Sequence, residues 1–326
     1  MKKRVLISQP WPTSAVPHLN NFIAELEAKE CEVVLYPETS RMRASDLIDW
    51  LPGFCAHICG SDEWTAEAMD ALRDIRVISR IGVGFESVDI PAATKRKIAV
   101  TTTPGAGAET VSEFAFTLMA AMSRKIFQND RMVRSGGWTT VTGMSFYRKT
   151  LGIVGLGLIG IQLARWAQGF GMRVIAYDPV EDLAYAEANN ITYVSLDELL
   201  KTCDYMSLHL PLMESTRNLI GERELSMMKP TAQIVNSARG GIIDETALYN
   251  ALKNGVIDAA ALDVFEKEPI SPENPLLTLD NVIFSPHIAG STYEGLDSIV
   301  GAAVRNVIDV IDGKVPHGIR NPEIYQ

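Results

Sequence analysis

Three side chains with complementary chemistry each follow an apolar segment in the second half of the chain. Arg239 stands in the segment NSARGG, Glu268 in DVFEKEP and His287 in SPHIAG. A guanidinium binds a carboxylate through paired hydrogen bonds. An imidazole exchanges protons near neutral pH, and a neighbouring carboxylate raises its pKa. These are the groups needed to hold a small carboxylic acid and to move a proton at the adjacent oxygen.

Spacing alone does not decide which carboxylate and which imidazole take part in proton transfer. Glu266 stands two residues before Glu268, and His209 also ends an apolar segment, just before Pro211. Both therefore stay open as alternatives. The remaining histidines lack a comparable setting and are interpreted as structural: His18, His57 and His317.

A glycine-rich loop adds a second kind of chemistry. The segment GLGLIG, with its glycines at Gly155, Gly157 and Gly160, directly follows the apolar run Leu151–Val154 and opens an amphipathic segment. Asp178 ends the next apolar run, about 20 residues further on, which completes the βαβ fingerprint of a dinucleotide site.

Each residue of that fingerprint has a physical role. Gly155 permits the tight turn, Gly157 allows close approach of a pyrophosphate, and Gly160 allows the helix to pack on the strand. The helix N-terminus offers free N–H groups to the phosphates. Asp178 suits the ribose hydroxyls and would repel a 2′-phosphate, which favours NAD over NADP.

The elements that must position these groups alternate between short apolar strands and helices. This order predicts parallel sheets with helices on both faces. Strands are expected at Val5–Ser8, Glu32–Tyr36, Phe54–Cys59, Val77–Arg80, Ala99–Thr102, Leu151–Val154, Arg173–Tyr177, Thr192–Val194, Tyr205–Leu208, Ala232–Asn236, Ala259–Leu262 and Val282–Ser285. One long helix is expected from Thr110 to Arg134, followed by an irregular arm around Trp138, and another from Tyr293 to Asp312. Asp244 is expected to cap a helix.

Composition narrows the class of protein. The chain has 326 residues, of which 47% are hydrophobic and 21% charged, which fits a globular protein of roughly two domains. Its 30 basic and 40 acidic residues give a net charge of −10. That charge argues against nucleic acid or an anionic membrane as a partner.

The cysteines and the N-terminus bear on the compartment. Four cysteines are too few for a disulfide framework, and the N-terminal apolar run is too short for a signal peptide, so a cytoplasmic protein is expected. The segment Cys55–Cys59 places two thiols and an imidazole on one face of a strand. We interpret it as a buried strand, and no metal site is expected.

These motifs, together and in this order, resemble the D-isomer-specific 2-hydroxyacid dehydrogenase family over nearly the whole chain. The most similar branch contains phosphoglycerate dehydrogenases and glyoxylate/hydroxypyruvate reductases. The resemblance implies Arg239 as the substrate-orienting cation, His287 as the general acid in reduction, and Glu268 as its partner. It further implies cofactor contacts at Gly155, Gly157, Leu158, Ile159, Gly160, Asp178, Leu210, Pro211, Ser237, Ala238, Asp263 and Gly290.

The resemblance also implies an architecture. A Rossmann NAD domain, residues 105–296, is inserted into a flavodoxin-like substrate domain formed by residues 1–104 and 297–326. The loop RIGVG, which starts at Arg80, matches the family's substrate loop, in which the Val83 and Gly84 amides bind the carboxylate. Members are usually dimers joined through the nucleotide domain, and the arm around Trp138 resembles part of that interface. A homodimer is therefore expected.

The chain departs from the family pattern at two places. The family often has arginine where this chain has Leu158, and that arginine helps to hold the pyrophosphate. The phosphoglycerate branch often has basic residues at the turn that here reads GSDE, from Gly60 to Glu63, and Arg80 is the one obvious cation nearby. This second departure argues against naming phosphoglycerate as the substrate.

The sequence therefore predicts an NAD-dependent oxidoreductase that interconverts a small 2-keto acid and a D-2-hydroxy acid. An alternative from another class is an NAD(H)-responsive corepressor, which binds partners without metabolic turnover. Formate and phosphite dehydrogenases are a closer alternative, although formate enzymes usually carry glutamine at the position of Glu268.

Overall fold

A computed structural model describes residues 3–9 and 11–326. Met1, Lys2 and Pro10, which belong to the N-terminal segment considered above for a signal peptide, lie outside the described residues. The chain forms two compact units, unit 1 (Met1–Gly107 with Gly290–Gln326) and unit 2 (Ala108–Ala289). No helix in the described part of the chain is long and apolar enough to span a bilayer.

Unit 1 is built on a parallel five-stranded sheet with the strand order β2-β1-β3-β4-β5. Its strands are β1 Lys3–Ile7, β2 Cys31–Leu35, β3 Ala56–Cys59, β4 Val77–Arg80 and β5 Ala99–Thr101. Its helices are α1 Leu19–Glu27, α2 Ala44–Trp50, α3 Ala66–Ala71, α4 Ile90–Lys95 and, after unit 2, α12 Tyr293–Ile311. The last helix packs its buried valines on one face of this sheet, and Ser79 donates a hydrogen bond of 2.9 Å to the Ala303 carbonyl.

Unit 2 is built on a parallel seven-stranded sheet with the order β12-β11-β10-β9-β6-β7-β8. Its strands are β6 Thr150–Val154, β7 Arg173–Tyr177, β8 Ile191–Tyr193, β9 Tyr205–Leu208, β10 Gln233–Asn236, β11 Ala259–Leu262 and β12 Val282–Phe284. Its helices are α5 Ala108–Ser123, α6 Ile126–Arg134, α7 Leu158–Gly169, α8 Leu183–Ala188, α9 Leu196–Thr202, α10 Glu222–Met227 and α11 Glu245–Lys253. Apolar clusters cover both faces of the sheet. The two sheets confirm the predicted fold class of two parallel α/β domains.

One helix prediction is wrong. The expected continuous helix from Thr110 to Arg134 is broken into α5 and α6, because Lys125 adopts a left-handed conformation with φ of 51°. The Lys125 ammonium forms an ion pair of 2.8 Å with Asp258, which anchors the break to the body of unit 2. The short helices α2 and α8 were not predicted. The predicted cap at Asp244 is confirmed, since its carboxylate accepts the Ala247 N–H.

Strand register brings the ends of six strands of unit 2 to one level. Val154 pairs with Tyr177 and Leu208, Leu208 with Asn236, Asn236 with Leu262, and Leu262 with Phe284. The residue after each strand therefore lies in one row along the carboxyl edge of the sheet, where parallel α/β sheets bind ligands. This row consists of Gly155, Asp178, His209, Ser237, Asp263 and Ser285.

Candidate active site

The predicted acid–base pair is formed in the structure. His287 Nδ1 lies 2.7 Å from Glu268 Oε2, and both side chains are partly exposed. The hydrogen bond to Glu268 raises the pKa of His287, and it outweighs the opposing effects of burial and of the Arg239 charge. Burial pushes the pKa of Glu268 up, but the bond to His287 and the charges of His287 and Arg239 leave it below its ordinary value. The pair therefore favours imidazolium beside carboxylate.

The two residues that spacing left open as alternatives, Glu266 and His209, have other partners in the structure. Glu266 faces the start of α11, where its Oε1 accepts the Glu245 N–H at 3.3 Å and its own N–H bonds Glu245 Oε1 at 2.7 Å. His209 pairs with the Ser207 hydroxyl at 2.9 Å, and burial lowers the pKa of His209 to about 4. His209 is thus held neutral, and Glu268 is the carboxylate that meets His287.

Arg239 is carried by a tight turn directly after β10. The Asn236 side chain closes this turn, since its Nδ2 donates to the Arg239 carbonyl at 2.9 Å and its Oδ1 accepts the Ala238 N–H at 3.1 Å. A Cβ at Gly240 would lie 1.8 Å from the Phe265 carbonyl oxygen. The glycine therefore lets the Arg239 turn contact the segment that leads to Glu268. Arg239 accordingly acts electrostatically on both Glu268 and His287.

Asp263 organises the loop that carries His287. Its side chain is fully buried, and its carboxylate accepts the N–H of Ile288 and of Ala289, each at 2.9 Å, and the Ser285 hydroxyl at 2.6 Å. Its backbone carbonyl accepts the His287 N–H at 2.9 Å. These bonds hold His287 at φ of 54°, a left-handed conformation that is unfavourable for a residue with a Cβ. The sequence indicated Asp263 only as a cofactor contact and did not reveal this supporting role.

The glycine loop has the geometry that a dinucleotide requires. Gly155 has φ of 101°, and a Cβ there would meet the His209 backbone at 2.8 Å. A Cβ at Gly160 would lie 2.3 Å from the Gly155 carbonyl oxygen, whereas Gly157 faces open space at the start of α7. Of these three glycines, Gly157 is the one at which a Cβ would meet no described atom within 4 Å, as expected of the position that a pyrophosphate approaches.

Asp178 lies against this loop. Its Oδ2 accepts the Leu156 N–H and its Oδ1 accepts the Val180 N–H, both at 2.8 Å. Each oxygen keeps a lone pair that can accept a ribose hydroxyl. The Ser237 hydroxyl, in the same row of strand ends, is buried without a hydrogen-bond partner among the described residues, which is typical of a group that awaits a ligand. The residues present therefore fit NAD.

The other predicted cofactor residues are distributed around this edge and beyond it. In unit 2, Leu158 is exposed at the start of α7, Ile159 and Ala238 are partly buried, Leu210 is buried, and Pro211 is exposed. Gly290 belongs to unit 1.

The predicted substrate loop belongs to unit 1. Arg80 ends β4 and is 6% exposed, and its Nε donates to the Gly84 carbonyl at 3.1 Å. The Gly82 N–H and carbonyl both bond Thr103, at 3.0 and 2.9 Å. Val83 is exposed. Arg80 therefore holds the loop in shape, a contribution that the sequence did not indicate.

The comparisons with known proteins define the class. The sequence model described as "D-isomer specific 2-hydroxyacid dehydrogenase, NAD binding domain" matches residues 116–289. A glyoxylate reductase of Korarchaeum cryptofilum is 42% identical over 82% of this chain and 82% of its own length. A D-3-phosphoglycerate dehydrogenase of Archaeoglobus fulgidus is 37% identical over 98% of this chain and 60% of its own length.

A solved structure of similar fold belongs to the same class of enzyme. D-lactate dehydrogenase from Aquifex aeolicus, complexed with NAD and lactic acid, is 27% identical, covers 97% of this chain and 99% of its own, and has a TM-score of 0.83. The chain belongs to the D-isomer-specific 2-hydroxyacid dehydrogenase family. It is an NAD-dependent oxidoreductase, and none of these relatives supports the corepressor alternative.

Proposed function

We propose that this enzyme reduces a small 2-keto acid to the D-2-hydroxy acid, with Arg239, Glu268 and His287 as its catalytic residues. The observation that supports this most strongly is the 2.7 Å contact between His287 and Glu268, beside Arg239, at the sheet edge that also carries the dinucleotide loop. The relatives named glyoxylate reductase favour a substrate of that size.

The proton donor follows from the ring nitrogen of His287 that is left unbonded by Glu268. Bound NADH supplies the hydride. The residues that would hold the cofactor are the glycine loop with its following helix and the neighbouring strand ends: Gly155, Gly157, Leu158, Ile159, Gly160, Asp178, Leu210, Pro211, Ser237, Ala238, Asp263 and Gly290. Because His287 Nδ1 faces Glu268, the proton on Nε2 is the one donated to the keto oxygen. Glu268 stabilises the imidazolium before that transfer.

The carboxylate of the substrate needs a cation and hydrogen-bond donors. We assign the cation to Arg239 and the donors to the Val83 and Gly84 amides, with Arg80 supporting their loop. The electrostatic action of Arg239 on His287 is consistent with a cation that orients the carboxylate close to the proton donor.

The test compares wild type with His287→Ala on a panel of 2-keto acids with NADH and NADPH. We expect reduction with NADH, and a loss of kcat of at least about 100-fold in the variant with NADH binding retained. Glu266→Gln is the matched control and should stay close to wild type. Near-normal turnover in His287→Ala would remove that residue from the mechanism. No turnover of any keto acid by wild type would refute the proposed activity.

We further propose that the enzyme is a cytoplasmic homodimer joined through unit 2. Helix α6 buries none of its side chains within the described chain, although it carries Ile126, Phe127 and Val133. Trp138, in the arm that follows, is 89% exposed. Several large apolar side chains exposed within a short segment are typical of a protein interface, and a second copy of the chain is the partner that the family resemblance implies.

A further inference from the structure

The loop that carries Glu268 runs over the surface of unit 2. Phe265 before it and Leu276 after it are buried, whereas the residues of the loop, 266–275, are exposed or partly exposed. A surface loop without anchors is mobile and does not keep a carboxylate in hydrogen-bond contact with its partner. The 2.7 Å contact between Glu268 and His287 therefore needs support from outside the loop.

Glu245, the first residue of α11, provides that support at the start of the loop. Its Oε1 accepts the Glu266 N–H at 2.7 Å, while the Glu266 carboxylate accepts the Glu245 N–H at 3.3 Å. Two hydrogen bonds thus join the start of the helix to a residue two positions before Glu268. The 2.7 Å bond uses a charged acceptor, and such bonds are stronger than those between neutral groups.

The same side chain also holds the far end of the loop. The other oxygen of Glu245, Oε2, accepts a hydrogen bond of 2.8 Å from Asn274 Nδ2. Asn274 Oδ1 in turn accepts the Leu276 N–H at 3.0 Å, where the chain returns to the apolar cluster. One carboxylate therefore ties both ends of the loop to α11, with Glu268 between the two anchored points.

Helix α11 is a rigid base for these contacts. Its three buried side chains pack into the apolar cluster on one face of the sheet, and Asp244 caps its first turn. The helix also follows shortly after the Arg239 turn along the chain. Glu245 therefore joins the Glu268 loop to an element that is itself fixed to the body of unit 2.

Glu268 depends on the position of the backbone that Glu245 holds. Its Oε2 faces His287 Nδ1, and its Oε1 accepts the Phe265 N–H at 3.1 Å. Phe265 directly precedes Glu266, the residue whose N–H is bound by Glu245. A shift of the loop at this point would move both the carboxylate and the N–H group that orients it.

We propose that Glu245 is a positioning residue for proton transfer, which keeps the Glu268 carboxylate beside His287 through its two contacts with the loop. This inference rests on the proposed keto-acid reduction and deepens it, since it adds a residue that acts through Glu268. Without the Glu245 carboxylate, the imidazolium loses part of its stabilisation, so reduction slows while the affinity for the cofactor stays the same.

The first experiment removes both contacts in the full-length enzyme. Glu245→Ala should lower kcat for reduction of a 2-keto acid with NADH by about three- to tenfold, because a slight misplacement of a catalytic group is costly. The Kd for NADH should stay as in wild type. Glu222→Ala is the matched control, since Glu222 is likewise the first residue of a helix, α10, and is exposed. Equal losses in both variants would overturn the proposal, because the helix end and not the loop would then be responsible.

The pKa of His287, read from the NMR signals of its ring, separates positioning from a purely structural role. Arg239 and Asp263 also act on this pKa, and the variants leave both residues in place. We expect Glu245→Ala to move the pKa of His287 down, toward its value in Glu268→Gln. Added to Glu268→Gln, it should cause no further shift, because Glu245 acts through Glu268. An additive shift, or a pKa that stays as in wild type, would refute this role.

An exchange of donor and acceptor tests the geometry itself. Glu245→Gln keeps an acceptor for the Glu266 N–H but turns a donor toward Asn274. Asn274→Asp restores the match in the double variant, since the new carboxylate accepts from that amide and still accepts the Leu276 N–H. We expect the double variant to recover kcat and the pKa of His287. A double variant no better than Glu245→Gln would contradict the proposed contacts.

The outcomes separate the two proposals. If wild type reduces no keto acid, the proposed function is wrong, and the role of Glu245 in that reaction falls with it. If wild type is active but Glu245→Ala retains its kcat and the pKa of His287, only the role of Glu245 is refuted. Circular dichroism verifies that each variant is folded, and Glu245→Gln with its rescue decides the question if Glu245→Ala does not fold.

Discussion

The backbone carbonyl of Asp263 accepts the N–H of His287, and the carboxylate of the same aspartate accepts the next two N–H groups of the loop. One buried side chain thereby holds His287, the proposed proton donor, in a left-handed backbone conformation. The loop thus depends on two acceptor oxygens of one carboxylate, of which an amide retains only one.

Asp263→Asn should therefore impair catalysis. The new Nδ2 cannot accept the Ala289 N–H, so the loop loses one hydrogen bond. His287 is then held less firmly in its position. We expect kcat to fall by about tenfold or more, and the pKa of His287 to fall, because the charge of Asp263 contributes to raising it. Steady-state kinetics across pH provide the measurement. Ser285→Ala, which removes a single bond to Asp263, is the milder control, and equal effects of both variants would contradict this role.

The pH dependence of the reaction should report the His287–Glu268 pair. Reduction needs protonated His287, so kcat/KM for the keto acid should fall as pH rises through a pKa above the ordinary histidine value of 6.5. Oxidation of the hydroxy acid needs the neutral ring, and its kcat/KM should rise through the same pKa.

Glu268→Gln should move both profiles to lower pH, because the neutral amide no longer favours the imidazolium. Glu266→Gln supplies the matched control, since that carboxylate faces Glu245 instead. A profile for Glu268→Gln that coincides with wild type would show that Glu268 does not govern the titration.

The departure from the family pattern at Leu158 has a measurable consequence. Leu158 is 61% exposed at the first turn of α7, where an arginine has room to reach a pyrophosphate. Leu158→Arg should lower the Kd for NADH by about three- to tenfold through a charge-assisted hydrogen bond. A cation at a helix N-terminus is unfavourable, so the Tm should drop slightly. Fluorescence titration and thermal unfolding separate the two effects, and a weaker NADH affinity would contradict the placement of the pyrophosphate.

Two glycines should respond in opposite ways to alanine. Gly157 faces open space, so Gly157→Ala should keep its Tm within about 2 °C of wild type while weakening NADH binding by about tenfold or more. Gly240→Ala would place a Cβ 1.8 Å from the Phe265 carbonyl oxygen and should lower the Tm markedly. Thermal unfolding and NADH titration on both variants test this contrast. A stable Gly240→Ala enzyme would show that the Arg239 turn does not depend on that close contact.

The proposed dimer interface on α6 can be tested by introducing a charged side chain into it. Val133→Glu, alone or with Trp138→Ser, should produce a monomer in sedimentation analysis, because a carboxylate would be buried in an apolar interface. Leu183→Glu, at an exposed position of α8, should leave the oligomeric state as in wild type. If wild type is itself monomeric, or if Val133→Glu sediments with it as a dimer, α6 is not the interface.

The sequence by itself determined the fold class, the dinucleotide loop and the three catalytic candidates. Those depend on local signals: apolar periodicity, glycines at fixed offsets and chemically reactive residues at strand ends. It did not reveal the break at Lys125, because the ion pair with Asp258 joins residues that are far apart in the chain.

Tertiary structure decided everything that depends on distance between segments. Only strand register brings Gly155, Asp178 and Asp263 to one sheet edge, and only loop geometry separates Glu268, which meets His287, from Glu266, which does not. Burial lowers the pKa of His209, whereas the bond to Glu268 raises the pKa of His287. A charge pair or a buried polar atom acts through space, over a few ångströms, and sequence spacing carries no measure of that distance.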